Sequence, residues 1–172
     1  MNKALVIYRS KYGSAKQYAE WIAEALNGEL TEERDVKPAD FERYNIIVAG
    51  GCVRAGRVQG MQKLKLAVSR LQDKSMAFFA VCAMGGDGDY EKTLAERNVG
   101  ARIGVPLFVL PGRVDFTAMG KMDRTMMKVI VGMLKKEQNL TPRQQALVDN
   151  IGGVCDMVDR AAVKPLIAAV RL

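Results

Sequence analysis

Predominantly apolar runs recur along the chain at 4–8, 45–49, 75–83 and 105–110, the second and third entered through the polar Asn45 and Ser75. Such runs predict strands buried on both faces, the pattern of a parallel sheet. Between them the apolar residues fall at helical spacing. Ala15, Ala19, Ile22, Ala23 and Leu26 predict a first helix, and Met61, Leu64, Val68 and Leu71 a second within 58–71. A short third helix is expected at about 90–98. The segment 29–36 is charged, with apolar residues only at Leu30 and Val36, and reads as a strand at the sheet edge. Strands alternating with helices give a parallel α/β sheet joined by right-handed crossovers.

The last third of the chain holds more helix than such a sheet needs. The segment 117–136 places Met119, Met122, Met126, Val129 and Met133 on one face and Lys121, Arg124, Lys128 and Lys135 on another. Thr141, Pro142 and Gln144 form a capping-box pattern with proline at the first helical position. The stripe that follows, Leu147, Ile151, Val154, Val158 and Ala161, predicts a long final helix, kinked or closely packed at Gly152 and Gly153.

Composition narrows the chemistry. The 172 residues suit one domain with a sizeable core, expected to span 1–172 with 113–140 as a basic, Met-rich helical insertion. With no histidine, Ser-His-Asp and Cys-His catalysis are excluded and the commonest transition-metal ligand is missing, so no metal is expected and redox or group chemistry falls to a cofactor. The three cysteines, Cys52, Cys82 and Cys155, lack metal-type spacing, and Cys82 reads as a core residue. No apolar stretch approaches the roughly 20 residues of a membrane span, and the chain enters a strand without a leader, so a cytoplasmic protein is expected. The net charge of +7 is uneven: seven basic against three acidic residues lie between Arg113 and Arg143. A basic face suits an acidic partner or a membrane surface. Nucleic acid is not expected, because the basic residues lack interleaved aromatics and any recognised motif.

The stretch Ser10, Lys11, Tyr12, Gly13, Ser14, Ala15 carries the first candidate site. A strand gives way to a small polar loop and then to a helix whose first amides have no partners, an arrangement that favours an anion. It is neither Gly-x-x-x-x-Gly-Lys-Ser/Thr nor Gly-x-Gly-x-x-Gly, which argues against ATP and NAD as primary ligands. Two further loops, Gly51, Cys52, Val53, Arg54, Ala55, Gly56 and Met84, Gly85, Gly86, Asp87, Gly88, Tyr90, follow strands that flank the first. Ligands of open α/β sheets bind at such strand ends. Asp89 is read as a cap for the helix beyond.

The first loop resembles the phosphate loop of flavodoxins, and the likeness runs on through Ala19 to Ile22. The resemblance implies a flavodoxin-like three-layer sandwich with strand order 2-1-3-4-5, and FMN as cofactor. Ser10 and Ser14 would offer hydroxyls, Gly13 close backbone approach, and residues 11–15 amides to the phosphate. Ala15 departs from the usual threonine and gives up one hydroxyl, while Arg9, Lys11 and Lys16 add positive charge. The second loop corresponds to the one covering a face of the flavin ring. Here Arg54 and Ala55 replace the usual aromatic, leaving ring stacking to Arg54, Tyr12 or Tyr90. Arg54 is read either as a ring contact, which would raise the flavin potential, or as a surface side chain.

Gly112, Arg113 and the run from Met122 to Met133, together with Val53, Arg54, Ala55 and Gly56, further resemble the quinone-dependent protoporphyrinogen IX dehydrogenases of this fold. That likeness implies an enzyme passing electrons to a quinone at the membrane periphery. Three functions therefore stand open: an FMN oxidoreductase or electron carrier with a redox partner protein, the porphyrinogen enzyme, and a flavin-free binding module. The Met face is open to two readings, packing on the domain or contact with a lipid interface.

Overall fold

A computed structural model describes residues 3–100 and 103–171. The apolar runs form the strands β1 (Ala4–Arg9), β3 (Ile46–Arg54), β5 (Ser75–Cys82) and β6 (Leu107–Pro111), with β2 (Glu29–Glu32) at the edge. These five lie parallel in the order β2-β1-β3-β5-β6. A two-residue strand, β4 (Arg57–Val58), folds back antiparallel on the end of β3. Leaving out that hairpin strand, the order is the expected 2-1-3-4-5.

Strand pleating sorts the apolar run of β1 between two cores. Ala4, Val6 and Tyr8 face α1 (Ser14–Leu26) and α6 (Lys164–Val170), whereas Leu5 and Ile7 face α2 (Gln62–Ala67), α3 (Gly88–Asn98) and Phe41. Phe79 and Phe78 of β5 divide in the same way, both fully buried. Burial of each such ring contributes roughly 1.5–3 kcal/mol. Gly50 of β3 is confined by the neighbouring strand, since a Cβ there would collide with the Phe79 carbonyl.

Several boundaries differ from expectation. Val58 belongs to the hairpin strand, so the second helix begins at Gln62, and residues 68–70 finish it as a 3-10 turn. The expected final helix is divided. Its first part is α5 (Pro142–Asp149), capped as expected by Thr141, whose hydroxyl accepts from Gln144 N at 3.2 Å. The chain then turns at Gly152, φ +86°, and continues as the strand β8 (Val154–Asp156). This strand pairs antiparallel with β7 (Arg113–Asp115). The Met-rich segment is helical as α4 (Lys121–Leu134), shorter than the expected 117–136. Val131 and Leu134 pack with Val114, Phe116, Leu147 and Cys155 in a third core beside the sheet.

Candidate functional site

The strand order reverses between β1 and β3, and the loops leaving β1, β3 and β5 meet above that point. Gly13, at φ +97°, turns the first loop into α1, a conformation open to glycine and strained in other residues. Its amide donates to Ser10 Oγ at 3.1 Å. Gln17 N donates to the Gly13 carbonyl at 3.0 Å, so the amides of Ser14, Ala15 and Lys16 precede the helical ladder and point outward from it. No acidic residue lies in the first turn of α1 and no side chain caps it. This is a donor set for an anion, with the helix dipole adding to it.

Beside the loop lies a cavity of about 210 Å³. Of the residues expected at the site, Ser10, Lys11, Tyr12, Ser14, Ala15, Cys52, Val53, Arg54, Ala55, Gly56, Met84 and Tyr90 line it. Gly13, Gly51, Gly85, Gly86, Asp87 and Gly88 do not. Gly51 is a strand residue, confined between the carbonyls of Arg9 and Gln59, with which a Cβ would collide. Gly85 and Gly86 pack under Arg143. Asp87, not Asp89, caps α3, its carboxylate accepting from Asp89 N at 3.0 Å. Cys82 is half-buried in the cavity wall rather than in the core. Burial pushes the thiols of Cys52 and Cys82 up, so neither is a thiolate at neutral pH. Burial raises the Tyr90 phenol in the same way.

The second loop is the tight turn between β3 and β4, with Ala55 and Gly56 both at positive φ (+49° and +71°). It is held from behind by buried Asn98 of α3. Asn98 Oδ1 accepts from Val58 N at 2.9 Å, and its Nδ2 donates to the carbonyls of Gly56 (3.0 Å) and Leu94 (2.9 Å). Both amide hydrogens and one lone pair of the oxygen are thereby used.

The roof of the cavity comes from α4 and the residues before it: Met119, Asp123, Met126, Met127 and Ile130. Asp123 is the side chain that sequence reasoning missed. Its Oδ2 accepts from Lys11 Nζ at 2.5 Å and from Tyr12 OH at 2.6 Å, and its Oδ1 accepts from Arg54 Nη2 at 3.1 Å. The hydrogen bonds from Lys11 and then Tyr12 hold its carboxyl at about 2, and the same bond raises the Lys11 ammonium. Arg54 is therefore neither a free surface side chain nor an unopposed cation beside the cavity, because one carboxylate offsets part of the charge of Lys11 and Arg54. A lone acid between Lys121 and Arg124 on an otherwise basic helix was the signal available in the sequence.

The Met face divides as well. Met127, Ile130, Val131 and Leu134 turn inward, whereas Met122, Met126, Val129 and Met133 are 82%, 37%, 52% and 61% exposed. Of the expected Met face, Met119 packs against the third core and Met126 lines the cavity, so packing on the domain holds for those two and not for Met122, Val129 and Met133. Among the described residues no helix is long and apolar enough to cross a membrane.

A doubly wound α/β sheet with an uncapped helix terminus and an apolar cavity at its switch point defines the class. The chain belongs to the flavodoxin domain family, whose model matches residues 5–141. Among solved structures it is similar to a Streptococcus pneumoniae TIGR4 flavodoxin at 15% identity, covering 62% of this chain and 83% of that one, with a TM-score of 0.44. An archaeal flavodoxin gives 16% identity over 86% of this chain and 94% of its own, TM-score 0.41. The two-electron reduced Megasphaera elsdenii flavodoxin gives 14% identity, 62% and 82% coverage, TM-score 0.41. No curated protein matches the chain.

Proposed function

We propose that the chain binds FMN and transfers electrons through it. The observation that carries this reading is the free first turn of α1, open to an apolar cavity and flanked by the Ser10 and Ser14 hydroxyls. The donor set suits a phosphate: the amides of residues 14–16 and two hydroxyls, with no acid in the turn to repel it. The hairpin tip at 53–56 and the wall formed by Met84 and Tyr90 would hold the flavin ring between them. FMN supplies, when bound, the one- and two-electron chemistry that a histidine-free chain lacks. The cavity is smaller than the roughly 300–1,000 Å³ of typical ligand pockets. Met119, Met126 and Met127 in its roof are unbranched and can repack around a ring. Lys11, Arg54 and Asp123 together carry one net positive charge beside the ring, a milder bias on its potential than two free cations.

Titration with FMN and with riboflavin tests the reading. FMN should quench its own fluorescence on binding and raise the melting temperature, and riboflavin should bind at least tenfold more weakly for want of the phosphate. If neither binds, the flavin reading fails and the fold serves as a flavin-free binding module.

The exposed stripe of α4 favours a second, more specific reading, an enzyme of the protoporphyrinogen IX dehydrogenase type passing electrons to a quinone. Met122, Met126, Val129 and Met133 lie on the outer side of the helix that roofs the cavity, among Lys121, Lys128, Lys135 and Lys136, all exposed. A basic amphipathic helix of this kind suits an anionic lipid surface, where quinones are dissolved. Protoporphyrinogen oxidation with a quinone acceptor, and flotation with anionic but not neutral vesicles, would support this reading. Bound FMN with neither result leaves a carrier that serves a redox partner protein.

A further inference from the structure

Three donors from two separate loops converge on one buried carboxylate of a third element, and each carboxylate oxygen serves a different loop. Oδ2 takes Lys11 and Tyr12 from the loop after β1, while Oδ1 takes Arg54 from the hairpin tip. The three donors are otherwise partly exposed, with 42% of the Lys11 side chain and 50% of the Arg54 side chain accessible, against 10% for Asp123. Long cationic side chains at that exposure sample many rotamers unless something fixes them. Asp123 also sits in the first turn of α4, where the helix dipole favours a negative charge.

We propose that Asp123 is a positioning residue for the flavin site, setting the phosphate loop and the ring-loop hairpin at a fixed distance from each other. The proposal rests on the FMN reading above and makes α4 a structural part of that site. An asparagine cannot substitute, because it presents one acceptor oxygen and turns an NH2 group toward donors on the other side. Glutamate keeps both oxygens and is one methylene longer. The carboxylate also offsets cations beside the ring, so its removal should bias the ring toward its reduced, negatively charged form.

The test compares the parent protein with Asp123→Asn, Asp123→Glu and, as a control on the exposed side of the same helix, Thr125→Ala. FMN affinity should fall about 10- to 100-fold in Asp123→Asn, the range for losing hydrogen bonds to a charged group. Its flavin potential should move in the positive direction. Asp123→Glu should recover part of both, and Thr125→Ala should match the parent. Amide exchange measured without FMN should quicken at residues 10–15 and 53–56 in Asp123→Asn while the strands stay protected. Parent-like affinity and potential in Asp123→Asn would overturn the proposal, as would exchange that quickens across the whole chain. If the parent itself binds no FMN, the flavin reading falls. Exchange then decides the role of Asp123 alone: local quickening at the two loops retains it, and parent-like exchange removes it.

Discussion

Asn98 offers the most quantitative test of how the candidate site is supported. Replacing it with alanine removes one acceptor and two donors from behind the hairpin that carries Arg54, Ala55 and Gly56. The amide of Val58, a residue 1% exposed, would be left without a partner, at a cost of about 1–3 kcal/mol. The Gly56 carbonyl is half-buried and water can partly replace its lost donor, adding up to about 1 kcal/mol. The sum is roughly 1–4 kcal/mol. At about 2–4 °C per kcal/mol for a chain of this size, the melting temperature should fall by roughly 2–16 °C. Urea unfolding followed by the single tryptophan, Trp21, which packs edge-on against Tyr18 at 5.5 Å in the core on the α1 side, measures the loss. Asn98→Asp supplies the sign. The introduced carboxylate keeps the acceptor for Val58 N but faces the carbonyls of Gly56 and Leu94, so its folded pKa rises above the unfolded value. The native state then binds more protons than the unfolded one, and stability falls as pH rises. That variant should approach the parent at pH 5 and diverge from it at pH 7. An Asn98→Ala protein within about 0.5 kcal/mol of the parent, or an Asn98→Asp deficit that grows on acidification, would mean that Asn98 does not support the hairpin through these hydrogen bonds.

Other expectations follow from the same geometry. The Asp123 carboxyl is depressed from 3.8 to about 2, so its contribution is complete above about pH 4 and is lost as pH falls toward 2. The shift corresponds to about 2 kcal/mol, reduced to about 1 because Lys11 and Arg54 are half-exposed, and the deficit of Asp123→Asn in urea unfolding should shrink between pH 5 and pH 3. Gly50→Ala drives a Cβ into the Phe79 carbonyl, a backbone atom that cannot swing aside, and should cost about 3 kcal/mol or more, visible as a lower urea midpoint. Ala15 is 2% exposed, so the threonine usual in related loops would press a methyl into the core. Ala15→Ser adds only the oxygen and should tighten FMN binding by about tenfold, whereas unchanged affinity would mean that the loop does not grip a phosphate.

Most of the sheet was legible because its signal is local. A run such as that of β1 is apolar at every position, and a strand buried on both faces has no polar side to display. The elements that follow in the chain then leave few topologies open. The turn at Gly13 was legible for the same reason, since strand, small residues and helix are adjacent in sequence. The final helix was misread because Leu147, Ile151, Val154 and Val158 are spaced as a helical stripe, while the partner that makes 154–156 a strand lies some forty residues earlier, at Arg113–Asp115. Cys155, the buried member of that strand, is off the helical stripe altogether.

The alternation of strands and helices and the loop at the start of α1 were thus legible in the chain, each encoded by neighbouring residues, whereas the strand order followed from the resemblance of that loop to those of flavodoxins. Which side of α4 turns inward was settled only on folding, and it is not the face that the Met periodicity marked. Met127, Ile130, Val131 and Leu134 take the inner side because the third core closes on them and because Asp123, one turn ahead, finds three donors there. Those donors come from residues 11, 12 and 54. No local pattern can join them to residue 123, since a carboxylate is buried where its partners are, and folding alone brings them together.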